Sequence, residues 1–328
     1  MYTNPIQLSV APMMGFTNRH FRYLMRLICP GIHLYSEMVT TGALLHGEKA
    51  LQQRLLAFHP KESPVALQLG GSNPEDLAVC ARMAEELGYQ EVNLNVGCPS
   101  SRVQSGSFGA CLLKEPKLTA DCVRSMKEAC TIPVTVKTRI GVDEYDSWEH
   151  LCHFTQNMVD AGCDALFVHA RKAWLKGLNP KQNRCVPPLH YDCVYRLKET
   201  FPDLPMTING GIKTVADAVE HLNHVDGVMI GRAAYEDTGM LVELAHALAN
   251  KPVPDLSVLI QPYIDYIIEL FEAELNTVLW SDLIKGILGL IKGKSGAKAL
   301  RNAVCMAGKK NASERGAVLD GVLAFLAA

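Results

Sequence analysis

Eight short apolar runs, separated by amphipathic stretches, recur through the first 250 residues of the chain. They are Leu8–Ala11, Leu34–Met38, Val65–Leu69, Glu91–Leu94, Val134–Lys137, Ala165–His169, Met206–Ile208 and Gly227–Ile230. Between them, helical patterns run over Asn18–Ile28, Pro74–Leu87, Leu118–Ala129, Ser147–Ala161, Asp192–Thr200 and Val215–Leu222. Asn73-Pro74 is a helix-start signal, and Gly88 and Gly162 follow two helix ends. Strands apolar throughout and separated by helices require a parallel sheet covered on both faces. Eight such units at this length predict an α/β fold closed into a (β/α)8 barrel of the TIM type rather than an open sheet. No Gly-x-Gly-x-x-Gly follows any strand, which removes the main sign of a Rossmann dinucleotide domain.

After Leu248 the character changes. Lys251-Pro252-Val253-Pro254 reads as a linker. Helical segments follow over Leu256–Phe271, Leu275–Leu290, Ala297–Met306 and Ser313–Leu326, and no strand pattern returns. The expected organisation is a catalytic barrel over residues 1–250 and a small helical bundle over residues 251–328.

The net charge of −2 argues against a general nucleic-acid binder, but it averages over a sharp split. From Pro252 to Ile284 the acids are Asp255, Asp265, Glu269, Glu272, Glu274 and Asp282, with no Lys or Arg. From Lys285 to Arg315 come Lys285, Lys292, Lys294, Lys298, Arg301, Lys309, Lys310 and Arg315, against Glu314 alone. Such a block suits a polyanion; it equally suits a solvated helix face paired with the acidic stretch before it.

With 48% hydrophobic and 20% charged residues, the chain can bury a substantial core. Met1-Tyr2-Thr3-Asn4-Pro5 lacks the basic region and apolar run of a signal peptide, and no apolar stretch reaches the ~18 residues of a membrane span. The eleven cysteines are odd in number, scattered, and free of any Cys-x-x-Cys pair, so neither a disulfide framework nor a zinc site is expected. Most should be buried thiols. A cytoplasmic protein with no metal, no membrane association and no stable protein partner is the expectation.

In a barrel of this type the active site forms where strands end and βα-loops begin. These ends are unusually polar: Gln68, Asn95-Val96-Gly97-Cys98-Pro99, Lys137-Thr138-Arg139, His169-Ala170-Arg171, Asn209-Gly210-Gly211 and Gly231-Arg232. Glycines after strands seven and eight let backbone N–H groups approach a phosphate, and Arg232 can add a charge-assisted contact. Read separately, Gly210-Gly211 is a tight turn and Arg232 a surface charge; together on consecutive strands they favour a phosphate-bearing cofactor. Lys137 and His169 follow apolar strand residues and should point into the barrel mouth. A polar cluster there is costly to bury without a polar ligand, and a flavin ring fits it. Cys98 follows strand four directly; a thiol, mostly protonated at neutral pH, can donate a proton to a polarised C=C bond while hydride arrives from the flavin.

Ala11-Pro12-Met13, Leu67-Gln68-Leu69-Gly70-Gly71, Asn93-Leu94-Asn95-Val96-Gly97-Cys98-Pro99, Val136-Lys137-Thr138-Arg139-Ile140-Gly141, His169-Ala170-Arg171, Asn209-Gly210-Gly211 and Gly231-Arg232 resemble the motifs of the tRNA-dihydrouridine synthases, in the same order, over about residues 8–240. Tyr35–Ala43 and His169–Leu175 are similar to the A subfamily. The resemblance implies FMN as cofactor, NADPH as electron donor, and reduction of D-loop uridines in tRNA at positions 20 and 20a. By motif, Pro12, Met13, Gln68, Lys137, His169, Asn209, Gly210, Gly211, Gly231 and Arg232 would hold FMN. Cys98 would protonate C5 while flavin N5 delivers hydride to C6. Asn95 would hold the uracil edge, Arg139 would join the substrate contacts, and Asn183 or Arg184 would set the tRNA register. In the helical segments, Lys298 and Arg301, one turn apart, are the candidates for tRNA backbone contacts.

Three other readings remain open on the sequence. An FMN barrel acting on a free pyrimidine keeps the flavin residues but has no use for the basic block. A non-catalytic RNA-binding protein has no use for Cys98 beside Lys137 and His169. A phosphate-binding aldolase would use Lys137 as a Schiff-base lysine.

Overall fold

The computed structural model describes residues 7–29, 31–272 and 278–328; the amino-terminal Met1–Pro5 and the expected helix start at Leu275 lie outside them. The strands are β1 (Leu8–Val10), β2 (Leu34–Tyr35), β3 (Val39–Thr40), β4 (Val65–Gly70), β5 (Glu91–Val96), β6 (Val134–Arg139), β7 (Ala165–His169), β8 (Met206–Asn209) and β9 (Gly227–Ile230). All pairings are parallel, in the order β1-β9-β8-β7-β6-β5-β4-β2, with β3 beside β4. The barrel closes where Ser9 bridges His33: Val10 N donates to His33 O at 3.0 Å and His33 N to Leu8 O at 2.9 Å. All eight expected strands are present. The second is split at Ser36, because the Ser36 hydroxyl, rather than a backbone carbonyl, accepts from Gln68 N at 2.9 Å.

The barrel helices are α1 (Arg19–Ile28), α2 (Thr41–Leu45), α3 (Lys49–Leu56), α4 (Pro74–Glu86), α5 (Ser101–Ser105), α6 (Pro116–Ala129), α7 (Trp148–Asp160), α8 (Tyr191–Thr200), α9 (Val215–Leu222), α10 (Ala233–Glu236) and α11 (Thr238–Leu248). Asn18, Asn73 and Ser147 cap α1, α4 and α7 with their side chains, satisfying amides that the first helical turn leaves without partners. The helical patterns in the sequence do not mark α2, α3, α5, α10 or α11.

Residues 251–255 have no regular structure. Beyond them lie α12 (Leu256–Glu272), α13 (Trp280–Leu290), α14 (Ala297–Ala307) and α15 (Ala312–Ala327). Helices α12 and α13 pack on α1, and α13 also on α10 and α11. One continuous apolar core joins Phe21, Leu24 and Met25 of the barrel to Ile260, Tyr263, Leu283 and Ile287 of the appended helices. A Cβ at Gly289 would lie 2.2 Å from Thr238 Oγ1 and 2.6 Å from Tyr235 O, so only glycine admits this approach.

None of the eleven cysteines forms a disulfide, but fewer are covered than expected: five are buried, Cys98, Cys111, Cys152 and Cys193 are partly covered, and Cys185 and Cys305 are exposed. Scattered positions on amphipathic helices put some thiols on outer faces. No described helix is long and apolar enough to cross a membrane, and no group of His, Cys, Asp or Glu among the described residues could hold a metal ion.

Candidate active site

Strands β5 and β6 correct the expectation of strands apolar throughout. Side chains alternate along a strand, and Glu-Val-Asn-Leu-Asn-Val sends Val92, Leu94 and Val96 outward into the core under the helices. Glu91, Asn93 and Asn95 take the other face, lining the barrel interior. Thr135, Lys137 and Arg139 do the same from β6, with Asn93 opposite Thr135 and Asn95 opposite Lys137. The remainder of the interior is a small apolar cluster of Ala11, Tyr35, Ala66, Ala165, Phe167 and Met229. The strands also run further toward the mouth than expected, so Asn95, Arg139 and Asn209 sit on strand ends rather than on loops.

Asn95 shapes the turn that carries the candidate acid. Its Oδ1 accepts from Gly97 N at 3.2 Å and from Cys98 N at 3.0 Å, while its Nδ2 donates to Gln68 Oε1 at 2.9 Å. The Cys98 carbonyl accepts from Ala110 N at 2.9 Å. The thiol is therefore held by its backbone on both sides and stays partly exposed, with Sγ 3.6 Å from Ser100 Oγ.

Across the mouth, Lys137 Nζ donates to Asn209 Oδ1 at 3.1 Å, and Asn209 Nδ2 donates to Met229 O at 2.7 Å. Burial, reinforced by the neighbouring Arg139 guanidinium, lowers the Lys137 pKa to about 7. Burial followed by Arg139, Lys137, Arg171 and Arg184 pushes His169 well below the usual imidazole range, so its ring is neutral. Gly210 and Gly211 have φ of +118° and +75°. An added Cβ would come within 2.6 Å of His169 Cδ2 at Gly210 and within 2.5 Å of Leu189 Cδ1 at Gly211. Gly231 has open space where a Cβ would stand, and the Arg232 guanidinium next to it has no hydrogen bond or ion pair with any described residue. Pro12 and Met13, after β1, are partly covered on the same rim, and Met13 packs on the apolar interior cluster. A desolvated cation with one side-chain partner, an Arg232 guanidinium with none among the described residues, and bare backbone at two strand ends fit a flat group carrying a phosphate.

Arg139 and Asn183 are placed differently from direct RNA contacts. Arg139 is 3% exposed and donates to the carbonyls of Gly97, Asn183 and Lys172 at 2.9, 3.1 and 3.2 Å. Asn183 is fully buried: its Oδ1 accepts from Trp174 N at 2.8 Å and its Nδ2 donates to Trp174 O at 2.9 Å. Asn183 braces the loop after β7 from within, and Arg139 ties that loop to the Cys98 turn through the Gly97 carbonyl. Arg184, next in sequence, is exposed and is the member of that pair that reaches solvent.

The basic block divides. Lys285 joins Asp282 at 2.6 Å and the Gly15 carbonyl, Lys292 pairs with Asp237 at 3.1 Å, and Arg315 donates to the Ala307 and Gly308 carbonyls. Arg301 Nη1 donates to Leu288 O at 2.9 Å, closing the end of α13. Lys294, Lys298 and Lys309 are exposed and form no ion pair with any described residue. Lys285, Lys292 and Arg301 line a cleft between barrel and helices with Phe16 and Tyr235, whose rings stack at 4.0 Å.

Residues 9–320 match the family model described as Dihydrouridine synthase (Dus). The chain belongs to the dihydrouridine synthase family. It is thus a member of a flavin-dependent, tRNA-modifying family of oxidoreductases. Among similar proteins, the tRNA-dihydrouridine(20/20a) synthase of Yersinia pestis is 49% identical over 328 residues, covering 98% of this chain and 92% of that protein. Those of Shewanella oneidensis and Synechocystis sp. are each 49% identical, covering 96% and 90% of this chain and 91% and 88% of theirs. A solved 2-naphthoyl-CoA reductase in complex with 2-naphthoyl-CoA superposes with a TM-score of 0.53 at 10% identity, over 75% of this chain. This dihydrouridine synthase family member spans half the length of that structure, and the likeness is one of fold alone.

The interior residues Glu91, Asn93 and Thr135 escaped the sequence reading. Their signal was the alternation of Glu-Val-Asn-Leu-Asn-Val and Val-Thr-Val-Lys, which marks a polar inner face.

Proposed function

We propose that the chain reduces the C5=C6 bond of D-loop uridines in tRNA, at positions 20 and 20a, in the cytoplasm, with FMN bound in the barrel and NADPH as electron donor. The observation that carries this reading is a positioned thiol, Cys98, facing a desolvated lysine in a mouth ringed by Arg139, Arg171 and Arg184. Pro12, Met13, Gln68, Lys137, His169, Asn209 and the Gly210-Gly211 and Gly231-Arg232 ends would hold FMN, with Arg232 on its phosphate. Bound FMN supplies the hydride that C6 receives. Cys98 would give its proton to C5, and the resulting thiolate would be reprotonated before the next turnover. Asn95 keeps one amide hydrogen after donating to Gln68 and would hold the uracil edge. The target base must leave its stack, at a cost of a few kcal/mol that contacts over a wide RNA surface offset. Hence the proposed division of labour: residues 1–250 do the chemistry and residues 251–328 hold the RNA.

The test is to incubate the purified protein with unmodified tRNA and NADPH, mapping dihydrouridine by position while recording flavin absorbance. Dihydrouridine at 20 and 20a with a bleached and re-oxidised flavin is expected. A yellow protein that oxidises NADPH and leaves tRNA untouched would move the substrate to a free pyrimidine. For the helical region, Lys298→Ala should weaken tRNA binding and lower the slope of log K against log salt by about one, with the flavin spectrum unchanged. Unchanged affinity would place the RNA elsewhere. Arg301 is the poorer probe, because it also closes α13.

Lys137 yields a pH prediction. Above about pH 7 the free site carries a neutral lysine, whereas the ring acceptors of a flavin seated against it favour the ammonium. FMN binding therefore takes up a proton over that range, and affinity falls as pH rises. From pH 7.5 to 8.5, fluorescence titration of the apoprotein should show the Kd rising by up to about tenfold. A flat Kd would remove Lys137 as a charged donor to the ring.

A further inference from the structure

Buried side chains form an unbroken hydrogen-bonded line through the barrel interior, from the Glu91 end of β5 to the Cys98 turn. His33 Nε2 meets Glu91 Oε2 at 2.7 Å. The Thr135 hydroxyl donates to Glu91 Oε1. Asn93 Nδ2 donates to Thr135 Oγ1 at 2.8 Å, Gln68 Nε2 to Asn93 Oδ1 at 2.7 Å, and Asn95 Nδ2 to Gln68 Oε1 at 2.9 Å. Asn95 Oδ1 then accepts from the backbone of Gly97 and Cys98. Gln68, Glu91, Asn93 and Thr135 are at most 1% exposed, so no bulk water can replace a link.

The polarity of this line is the same read from either end. Carboxamide oxygen and nitrogen have nearly equal size, so only their partners decide which way each amide faces. The Cys98 turn presents two N–H donors, so Asn95 must offer its oxygen and turn its nitrogen to Gln68. That requires Gln68 Oε1 there and Nε2 on Asn93, and hence Asn93 Nδ2 on Thr135. The threonine hydroxyl has one proton, and with its oxygen accepting from Asn93 that proton goes to Glu91. Reversal of one amide sets donor against donor at the next link.

We infer that Glu91 and Thr135, at the far end of this line, are positioning residues that set the orientation of Asn95 and so hold the Cys98 turn in its proton-donating geometry. As a statement about catalysis this rests on the reading of Cys98 as the acid of uracil reduction; as a statement about the turn it does not. Neither residue touches the mouth. Thr135→Val keeps the side-chain shape but lets Asn93, Gln68 and Asn95 reverse, while Thr135→Ser keeps the link. Glu91→Gln offers Thr135 an amide that can donate instead of accept.

The experiment is made on the FMN-loaded protein, whose retained flavin absorbance reports the fold. Iodoacetamide modification of Cys98 is followed by peptide-resolved mass spectrometry, since Cys185 and Cys305 are also exposed. A loosened turn exposes sulfur, so Thr135→Val and Glu91→Gln should alkylate at Cys98 at least threefold faster, with Thr135→Ser at the wild-type rate. Re-oxidation of the pre-reduced flavin by unmodified tRNA should slow at least tenfold in the first two and recover in the third. A wild-type rate in either readout for Thr135→Val overturns the inference; if that variant loses flavin, Glu91→Gln decides by the same criterion. Should the wild-type protein never re-oxidise with tRNA, the substrate reading fails, and the alkylation rates alone decide the line's hold on the turn.

Discussion

Cys98→Ala should keep its FMN, still reducible by NADPH, while re-oxidation of that flavin by tRNA slows by about 10²–10⁴-fold, the range for losing a positioned proton donor. The substitution is clean because the turn is held through the backbone. Cys98 N donates to Asn95 Oδ1 and its carbonyl accepts from Ala110 N, and alanine preserves both bonds. Only the sulfur leaves, together with its 3.6 Å contact to Ser100. The substitution alters none of the residues proposed to hold the flavin, so the reductive half-reaction should run at the wild-type rate. Rapid-mixing absorbance on each half-reaction separates the two. A variant that reduces uracil within tenfold of the wild type would assign the proton to another group, with solvent through Ser100 the nearest source.

Gly210→Ala should yield a protein that folds less stably and purifies colourless. The backbone there has φ +118°, which an L side chain rarely adopts, and the new methyl would lie 2.6 Å from His169 Cδ2 and 3.0 Å from both His169 Nε2 and Leu189 Cδ2. Tyr191 holds the Gly210 carbonyl at 2.7 Å, so the strand end cannot simply swing aside. Backbone strain and overpacking each cost about 1–3 kcal/mol. A combined loss of about 2–6 kcal/mol should lower the apoprotein Tm by at least about 3 °C. Displacing His169 also disturbs the rim proposed to seat the flavin, so FMN content should drop in parallel. Calorimetry with flavin quantitation measures both. A yellow variant of unchanged Tm would show that the turn is neither strained nor close to the cofactor.

Several expectations met the structure unevenly, for reasons that particular residues make plain. The polar strand ends came out where the periodicity placed them, because side chains alternate along a strand and the neighbours Val136 and Ile208 pack outward into the core. Lys137 and Asn209 thus lie within 3.1 Å of each other although 72 positions separate them. Lys298 and Arg301 sit one turn apart on α14. Spacing puts both on one side of α14, but a free carbonyl at Leu288 takes the arginine and leaves the lysine in solvent. The block of cations was read as one feature, whereas Lys285 and Lys292 find partners on the barrel. Asn183 and Arg184 were indistinguishable in sequence, and a buried ring of carbonyls around one of them separates their roles.

Strand count, barrel class, the helical appendage after residue 250, the Cys98 loop and the glycine turns were all legible locally, because side-chain period, helix caps and φ-permissive residues are properties of neighbours along the chain. What the tertiary structure alone decided was partnership. Glu91, Asn93 and Thr135 are unremarkable polar residues until β4, β5 and β6 lie side by side, and only then does their burial force each amide to face one way. Arg139 likewise is a cation at a strand end until three carbonyls from distant loops converge on it. The physical reason is the same in both cases: a buried donor must find an acceptor, and which acceptor is within 3 Å is set by closure of the barrel rather than by any stretch of sequence.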